Sequence, residues 1–266
     1  MIDGAIPFLR CPVCHGALTR QDRTLRCPAR HSFDMARQGY ADLSGGRLPH
    51  LGDSAEMVAD RAGFLAAGHY GFIAAALAEH RTNGLVLDAG TGTGDYLARF
   101  LDGSPEAIGL GLDVSKPALR RAARAHPRAA AALADLWRPL PVADTTASVI
   151  LNVFAPRNGP EFHRILRPDG VLLVVTPSAD HLSELVTAHG MIQVDPEKAA
   201  RVSGSLGAHF TPVGTTRHRR ELKLTAAEAR TLIGMTPSAR HVAPEALPTV
   251  DVAVTAAVDV TAYQRR

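Results

Sequence analysis

The chain has 266 residues, 46% hydrophobic and 21% charged, a balance that permits a large buried core and does not make disorder the default. No apolar run approaches the roughly 18 residues of a membrane helix, and residues 1–10 lack the charged-then-apolar order of a signal peptide, so the cytoplasm is the expected compartment, with no membrane partner. The net charge of +3 sits entirely in residues 1–50, which hold seven Arg, no Lys and four Asp. A basic N-terminal module on a neutral body points to an anionic partner, nucleic acid first.

All three cysteines fall in this module. Two residues separate Cys11 from Cys14, twelve separate Cys14 from Cys27, and three separate Cys27 from His31. An odd thiol count argues against a closed disulfide set, whereas three thiolates and an imidazole at this spacing suit tetrahedral zinc. Four ligands leave no open position, so the metal is expected to be structural. Some 30 residues bury too little apolar surface to fold unaided, and metal binding would supply the missing free energy. His15 is a rival fourth ligand, but the Cys27–His31 offset mirrors the first pair better.

Next in the chain, Gly52-Asp53-Ser54-Ala55-Glu56-Met57 reads as a helix start, with Ser54 as cap and Met57 facing inward. Gly68 lies near the end of that helix, and Tyr70, just beyond it, is a candidate cofactor contact. The strongest signal follows, where Leu85-Val86-Leu87 runs through Asp88 into Ala89-Gly90-Thr91-Gly92-Thr93-Gly94 and a helix from about Asp95 to Leu101. This is the first strand, turn and helix of a doubly wound sheet, with the ligand at the carboxyl edge. A dinucleotide fingerprint needs glycine where Asp95 stands. Acid-x-Gly-x-Gly-x-Gly is instead the pattern of S-adenosylmethionine enzymes, whose ligand has no pyrophosphate.

A second strand, Ala107 to Leu112, ends in Asp113, 19 residues beyond Gly94, where a carboxylate can accept both ribose hydroxyls. Ser115 and Pro117 open a helix. Asp135, at the end of a third strand, is placed to meet the adenine amino group. A fourth strand, Ala147 to Phe154, carries Asn152 toward the same edge and leads to Arg157. Helix Glu161–Leu166, turn Arg167–Gly170 and strand Val171–Val175 complete five alternating units. From 177 to about 248 the pattern is irregular and contains the basic cluster Arg217-His218-Arg219-Arg220, read as an insertion for substrate recognition. Val250 to Tyr263 reads as a closing antiparallel hairpin.

With these residues in order, the chain resembles the 23S rRNA guanine-N1 methyltransferases of the RlmA type, the tylosin-resistance subgroup in particular. The resemblance is carried by the Cys11/Cys14/Cys27/His31 module, His31 to Tyr40, Gly52 to Met57, Ala67-Gly68-His69-Tyr70, Gly111 to Lys116, Ala155-Pro156 and His181-Leu182. It implies an α/β class I methyltransferase fold, Rossmann-like, with a seven-stranded sheet and a small zinc module. The units would be 1–38 for RNA recognition, 39–79 as linker and cofactor cover, and 80–266 for methyl transfer. It also implies transfer from S-adenosylmethionine to N1 of a guanine in a domain II hairpin of 23S rRNA, beside the peptide exit tunnel, with tylosin-type macrolide resistance as a role. A homodimer is a candidate assembly. Cofactor contacts would be Tyr70, Asp88, Gly90, Gly92, Thr93, Gly94, Asp113, Asp135, Asn152 and His181.

Guanine N1 carries a proton at neutral pH, so the reaction needs a proton acceptor or a polarised O6. Asp53 and Glu56 are the candidate bases, and Arg157 is the candidate partner for O6. Two other readings compete: a small-molecule or tRNA methyltransferase, and a non-catalytic RNA-binding protein on a relic fold.

Overall fold

The computed structural model describes residues 2–49, 52–193, 195 and 204–266. The part of the expected 177–248 insertion at 194 and 196–203, and residues 50–51 of the expected linker, lie outside them.

The N-terminal module opens with a 3-10 turn, Ile2–Phe8, followed by an antiparallel three-stranded sheet of β1 (Thr19–Gln21), β2 (Thr24–Arg26) and β3 (Ser32–Asp34). A two-residue strand, β4 (Ala41–Asp42), then joins the main sheet by pairing in parallel with residues Ala132 and Leu133. Helices α1 (Ala55–Ala66) and α2 (Gly71–Leu77) lead to the central strand β5 (Leu85–Ala89). Alternation follows through α3 (Asp95–Asp102), β6 (Ile108–Asp113), α4 (Lys116–Ala122), β7 (Ala129–Leu133), β8 (Ala147–Val153), α5 (Gly159–Ile165) and β9 (Leu166–Pro177). The chain ends with α6 (Ser183–His189), β10 (Phe210–Leu224), α7 (Ala226–Gly234) and β11 (Val252–Arg265).

The main sheet has the order β10-β11-β9-β8-β5-β6-β7-β4. Strands β9 to β4 are parallel to their neighbours, while β11 pairs antiparallel with β9 and β10. The seven strands of a class I methyltransferase are present, and β4 extends them by one. Strands β5, β7 and β8 are mostly apolar and buried along nearly their whole length because both faces are covered. Leu85, Leu87, Ile150, Leu172 and Val174 face the layer containing Phe162 and the N-terminal turn. Val86, Val149, Leu151, Leu173 and Val175 face the layer of Phe64, Ile73, Leu97 and Phe100. That period-2 split sets which helix covers which face.

Three local readings change. Arg167–Gly170, expected as a turn before a strand, is looped out inside β9: Ala147 pairs with Leu166, and Val149 already pairs with Val171. The hairpin expected within 250–263 is one long strand, β11, whose partner is β10. That partner lies inside the stretch read as an insertion. Its side chains are almost all exposed from Thr211 to Glu221, so no apolar alternation marks it.

The zinc module does not stand apart. Leu9 forms an isolated bridge with Val142, the Arg10 N–H donates to the Pro141 carbonyl (2.9 Å) and the Ala143 N–H to the Phe8 carbonyl (2.8 Å). Ile2, Ala5, Leu9, Leu18 and Leu25 share one apolar cluster with β5, β6 and β7.

Candidate functional site

The four expected zinc ligands converge from two matching turns. In the first, the His15 N–H donates to the Cys11 carbonyl; in the second, the Arg30 N–H donates to the Cys27 carbonyl, both at 2.9 Å. His15 (φ 55°) and Arg30 (φ 67°) are left-handed, which reverses the chain tightly enough to return the ligands. The Val13 N–H also donates to Cys11 Sγ (3.4 Å). His31 Nδ1 lies 3.5 Å from Cys11 Sγ and 3.3 Å from Cys27 Sγ, and Cys14 Sγ is 3.6 Å from Cys27 Sγ. All four ligand atoms fall within 4.8 Å of one another. A tetrahedron with zinc–ligand bonds of about 2.0–2.3 Å has edges of roughly 3.3–3.8 Å, so the donor set fits zinc closely. His31, and not His15, completes it. Burial opposes ionisation of Cys27, but hydrogen bonding from the His31 backbone and from the neighbouring ligand side chains outweighs it and brings the thiol to about 7.

The second site is a cavity of about 1130 Å³ at the carboxyl edge of β5, β6, β7 and β8, roofed by α1 and the segment after α7. Glycine shapes its floor. Gly90 (φ 89°) lies so close to Ala155 that a Cβ would collide with it, and Gly92 (φ 53°) turns its N–H to Asp113 Oδ2 (2.8 Å). Asp113 Oδ1 accepts the Ser115 N–H (2.8 Å). Burial raises the Asp113 carboxyl despite these two bonds. Asp88 lies beneath the loop, accepting from Thr91 Oγ1 (2.7 Å). Burial lifts it to about 7; Thr91 lowers it and the Asp113 charge adds to the rise.

Of the expected cofactor residues, Tyr70, Gly90, Gly92, Thr93, Asp113, Asp135 and His181 line the cavity. Asp88, Gly94 and Asn152 do not; they support the wall. Gly94 (φ 82°) caps α3 and packs against Ala122 and Ala125. Asn152 Nδ2 donates to the carbonyls of Ala89 (3.1 Å) and Pro156 (2.8 Å), joining the ends of β5 and β8. Its Oδ1 is buried without a hydrogen-bond partner among the described residues. Two lining acids, Asp113 and Asp135, and a glycine cradle suit a ligand rich in hydroxyls and amines, as S-adenosylmethionine is.

Tyr70 and His181 form a pair with an assignable proton. The Ala257 N–H donates to His181 Nδ1 (3.1 Å), so a neutral imidazole carries its hydrogen on Nε2. That N–H faces the Tyr70 oxygen at 3.3 Å. Burial keeps the Tyr70 hydroxyl protonated far above its ordinary range. The phenol therefore accepts from His181 and keeps its own hydrogen to donate. Phe154, left-handed at φ 52°, lies 6.4 Å from Tyr70 and 6.0 Å from His181 between ring centroids.

The three catalytic candidates separate. Asp53 and Arg157 line the cavity, whereas Glu56 is exposed in the first turn of α1 and outside it. Bonds from its own backbone and Ser54 hold the Glu56 carboxyl low, as suits an acid at a helix N-terminus. Among the lining residues that escaped sequence reasoning, two stand out. Arg61 of α1 ion-pairs with Asp53 and donates to the Met235 carbonyl (2.9 Å). Trp137, the single tryptophan, is 59% exposed at the mouth, on a turn where its N–H donates to Asp135 Oδ1 (3.0 Å). A lone exposed Trp beyond a strand end was the available signal for the second.

Residues 9–44 match the RlmA N-terminal zinc-ribbon family, and residues 86–170 match the methyltransferase-domain family. A protein of Micromonospora griseorubida whose name gives 23S rRNA (guanine-N1) methylation is 55% identical, across 98% of this chain and 96% of its own. The 23S rRNA (guanine(748)-N(1))-methyltransferase of Streptomyces fradiae is 48% identical across 93% and 91%. A Bacillus subtilis protein named for the same guanine-N1 activity is 33% identical across 67% of each chain. The cluster of three cysteines and a histidine, the acid-and-glycine edge of the sheet and these near full-length identities agree: the chain belongs to the 23S rRNA (guanine-N1)-methyltransferase family, with a zinc ribbon ahead of an S-adenosylmethionine-dependent domain.

Proposed function

We propose that this enzyme methylates N1 of a guanine in a domain II hairpin of 23S rRNA beside the peptide exit tunnel, in the cytoplasm, and that the product contributes to tylosin-type macrolide resistance. Among the described residues no helix is long and apolar enough to cross a membrane. The Streptomyces fradiae relative, named for guanine 748, makes that guanine the first target to test. One observation carries the RNA reading: a continuous path runs from the zinc turns to the cavity mouth. Gly45 packs on Pro12 between Cys11 and Cys14, and Arg138, beside Trp137, donates to the Arg47 carbonyl (3.1 Å). Arg23, Arg26, Arg30, Arg37 and Arg47 of the module are exposed. A hairpin gripped by this basic module would lie close to the cavity mouth.

In this reading residues 1–38 recognise RNA, 39–79 link and cover the cofactor, and 80–266 perform the transfer. When bound, the cofactor supplies a methyl group on a sulfonium. Transfer of that methyl to N1 would require N1 to give up its proton to a group of the chain. The target base must leave its stack to reach the cavity, and the exposed rings of Trp137 and Phe154 offer faces to hold it. In this reading Arg157 polarises O6 and Asp53, one of the carboxylates lining the cavity, takes the proton. Asp113 and Asp135 hold the ribose and adenine, and the Tyr70 hydroxyl, held by His181, donates into the cavity.

Primer extension on 23S rRNA, with and without enzyme and cofactor, tests the target. A new stop at a guanine of a domain II hairpin is expected; methylation of tRNA alone would sink the reading. Single-turnover transfer by Asp53→Asn at saturating cofactor tests the base, and an unchanged rate removes Asp53 from that role.

A further inference from the structure

We infer that the face of β10 carrying His218 and Arg220, together with Phe72 of α2, is a second RNA-binding surface, which takes the RNA backbone on the side of the cavity away from the zinc ribbon. The inference rests on the proposed rRNA substrate and goes beyond it by naming residues, outside both the module and the cavity, that hold that substrate.

The basic run Arg217-His218-Arg219-Arg220 lies in β10, the strand at one end of the main sheet, while β4, which follows the ribbon, lies at the other end. Alternation along the strand splits the run between two faces. On one face Arg217 is paired with Asp259 (2.8 Å) and Arg219 with Asp180 (3.1 Å). On the other, neither His218 nor Arg220 meets a carboxylate among the described residues. Arg220 Nη1 donates to the Arg219 carbonyl (2.9 Å), and its guanidinium carbon stands 5.9 Å from the centre of the Phe72 ring. The His218 ring lies 6.4 Å from the same half-buried ring.

Cations on an edge strand also discourage pairing with another strand, but side chains scattered over both faces would do that. Here one face is neutralised by acids, and the other gathers an uncompensated charge on an aromatic ring. That combination matches RNA. The N–H edge of a guanidinium fits two phosphate oxygens, and the ring and guanidinium planes offer faces to an unstacked base. Its place on the molecule fits as well. Arg219 stands opposite Ala257, whose N–H donates to His181 in the cavity wall. Phe72 is 6.1 Å from Tyr70, and Tyr70 is 6.4 Å from Phe154, so a row of rings leads from the cavity to the sheet edge. Three strand intervals separate β8 from β10, about 14 Å at about 4.8 Å each. A short run of nucleotides beside the target guanine spans that distance, and the ribbon would hold the RNA from the opposite end of the sheet.

The test is equilibrium binding of a fluorescent 23S domain II hairpin transcript to the zinc-loaded, full-length enzyme with S-adenosylhomocysteine, by anisotropy at several salt concentrations. Arg220→Gln should weaken binding about tenfold and reduce the slope of log affinity against log salt by about one, as loss of one phosphate contact requires. Phe72→Leu should weaken binding by a smaller factor and keep the slope, because a stacking face is lost and no charge. Arg81→Gln removes an equal charge from an exposed residue ahead of β5, at the amino edge of the sheet, and should change neither. Wild-type affinity in Arg220→Gln or in Phe72→Leu, or an equal loss in Arg81→Gln, overturns the inference. Should Arg220→Gln fail to fold, hydrogen exchange of the wild type decides: adding the hairpin should slow exchange in residues 216–222, and no slowing overturns the inference. Slowing that needs no RNA and grows with protein concentration would assign this edge to a second copy of the chain, and overturns it likewise. A wild type that binds no RNA would instead sink the rRNA reading itself.

Discussion

The zinc ribbon and the sheet domain reach order by opposite routes. In the ribbon, short strands with mostly exposed side chains are held by four ligand atoms within 4.8 Å of one another. In the sheet domain, strands such as β5 and β7 are buried at every residue, and order comes from packing on two faces. The seam between them belongs to the second route, since Leu9 and Leu25 are fully buried within the sheet's own cluster. Metal fixes the ribbon's interior, and apolar contact fixes where it sits. The division suits the proposed function, because a basic surface needs a scaffold with little core, while a cofactor cavity needs rigid strand ends beneath it.

The sharpest way to break this comparison is to remove the metal. Cys27→Ser should release zinc, which contributes about 10–16 kcal/mol in isolated zinc-finger peptides, and abolish rRNA methylation. Cofactor binding should persist, because none of the four ligands lines the cavity. Hydrogen exchange combined with calorimetric S-adenosylhomocysteine binding checks both halves. Fast exchange confined to residues 9–44 supports two routes to order; loss of cofactor binding as well would mean one cooperative unit. Leu9→Ala tests the seam instead. Removing a fully buried leucine costs about 2–5 kcal/mol, and here the loss should lower the melting temperature of the whole molecule while zinc stays bound. Melting unchanged from the wild type would make the seam a passive contact.

What was legible in the sequence follows the same division. Metal geometry fixes ligand spacing locally, so Cys11, Cys14, Cys27 and His31 could be read as a set, and the structure brings them together. The acid and glycine series was legible because each member sits at a strand end, where a close turn leaves little choice of residue. Arg61 was not, since it joins the site through Asp53, Gly92 and Met235, which come from three separate stretches. Nor was β10: it lies at the sheet edge with charged side chains on both faces, Arg217 and Arg219 on one, paired with Asp259 and Asp180, and Arg220 on the other. A strand without an apolar face has no period to detect. The two residues of β4 are too few to show one.

Burial of Asp88 gives a test with a sign. Its folded value, raised by burial to about 7 from 3.8, means that the native state holds its proton more tightly than the unfolded chain. Stability from this group is therefore present below about pH 4 and is lost as pH rises through about 7. Asp88→Asn keeps an acceptor for Thr91 but cannot ionise. The variant should gain on the wild type by about 4 kcal/mol between pH 4 and 7 and hold that gain above it. Paired urea melts of the cofactor-free proteins at several pH values give the difference directly. A wild type that gains on the variant as pH rises would show that the glycine loop stabilises the carboxylate.

The smallest expected effect tests the roof. Thr225 caps α7 in a reciprocal arrangement: its Oγ1 accepts the Glu228 N–H (3.3 Å), and Glu228 Oε2 accepts the Thr225 N–H (2.9 Å). Glu228 also meets His69, just beyond α1, at 2.9 Å, so one carboxylate ties together the two helices whose ends reach the cavity. Donation from the Thr225 backbone and hydroxyl, then from His69, brings Glu228 down to about 2. A lowered acid supports the fold above its unfolded value near 4.5 and withdraws that support as pH falls toward 2. Thr225→Ala should cost about 1 kcal/mol, the ordinary worth of a helix cap. The loss should appear as faster hydrogen exchange in α7 and the Met235–Ser238 segment, with the ribbon unchanged. If exchange rises equally in residues 9–44, the roof and the ribbon move as one body and the separation of the two regions fails.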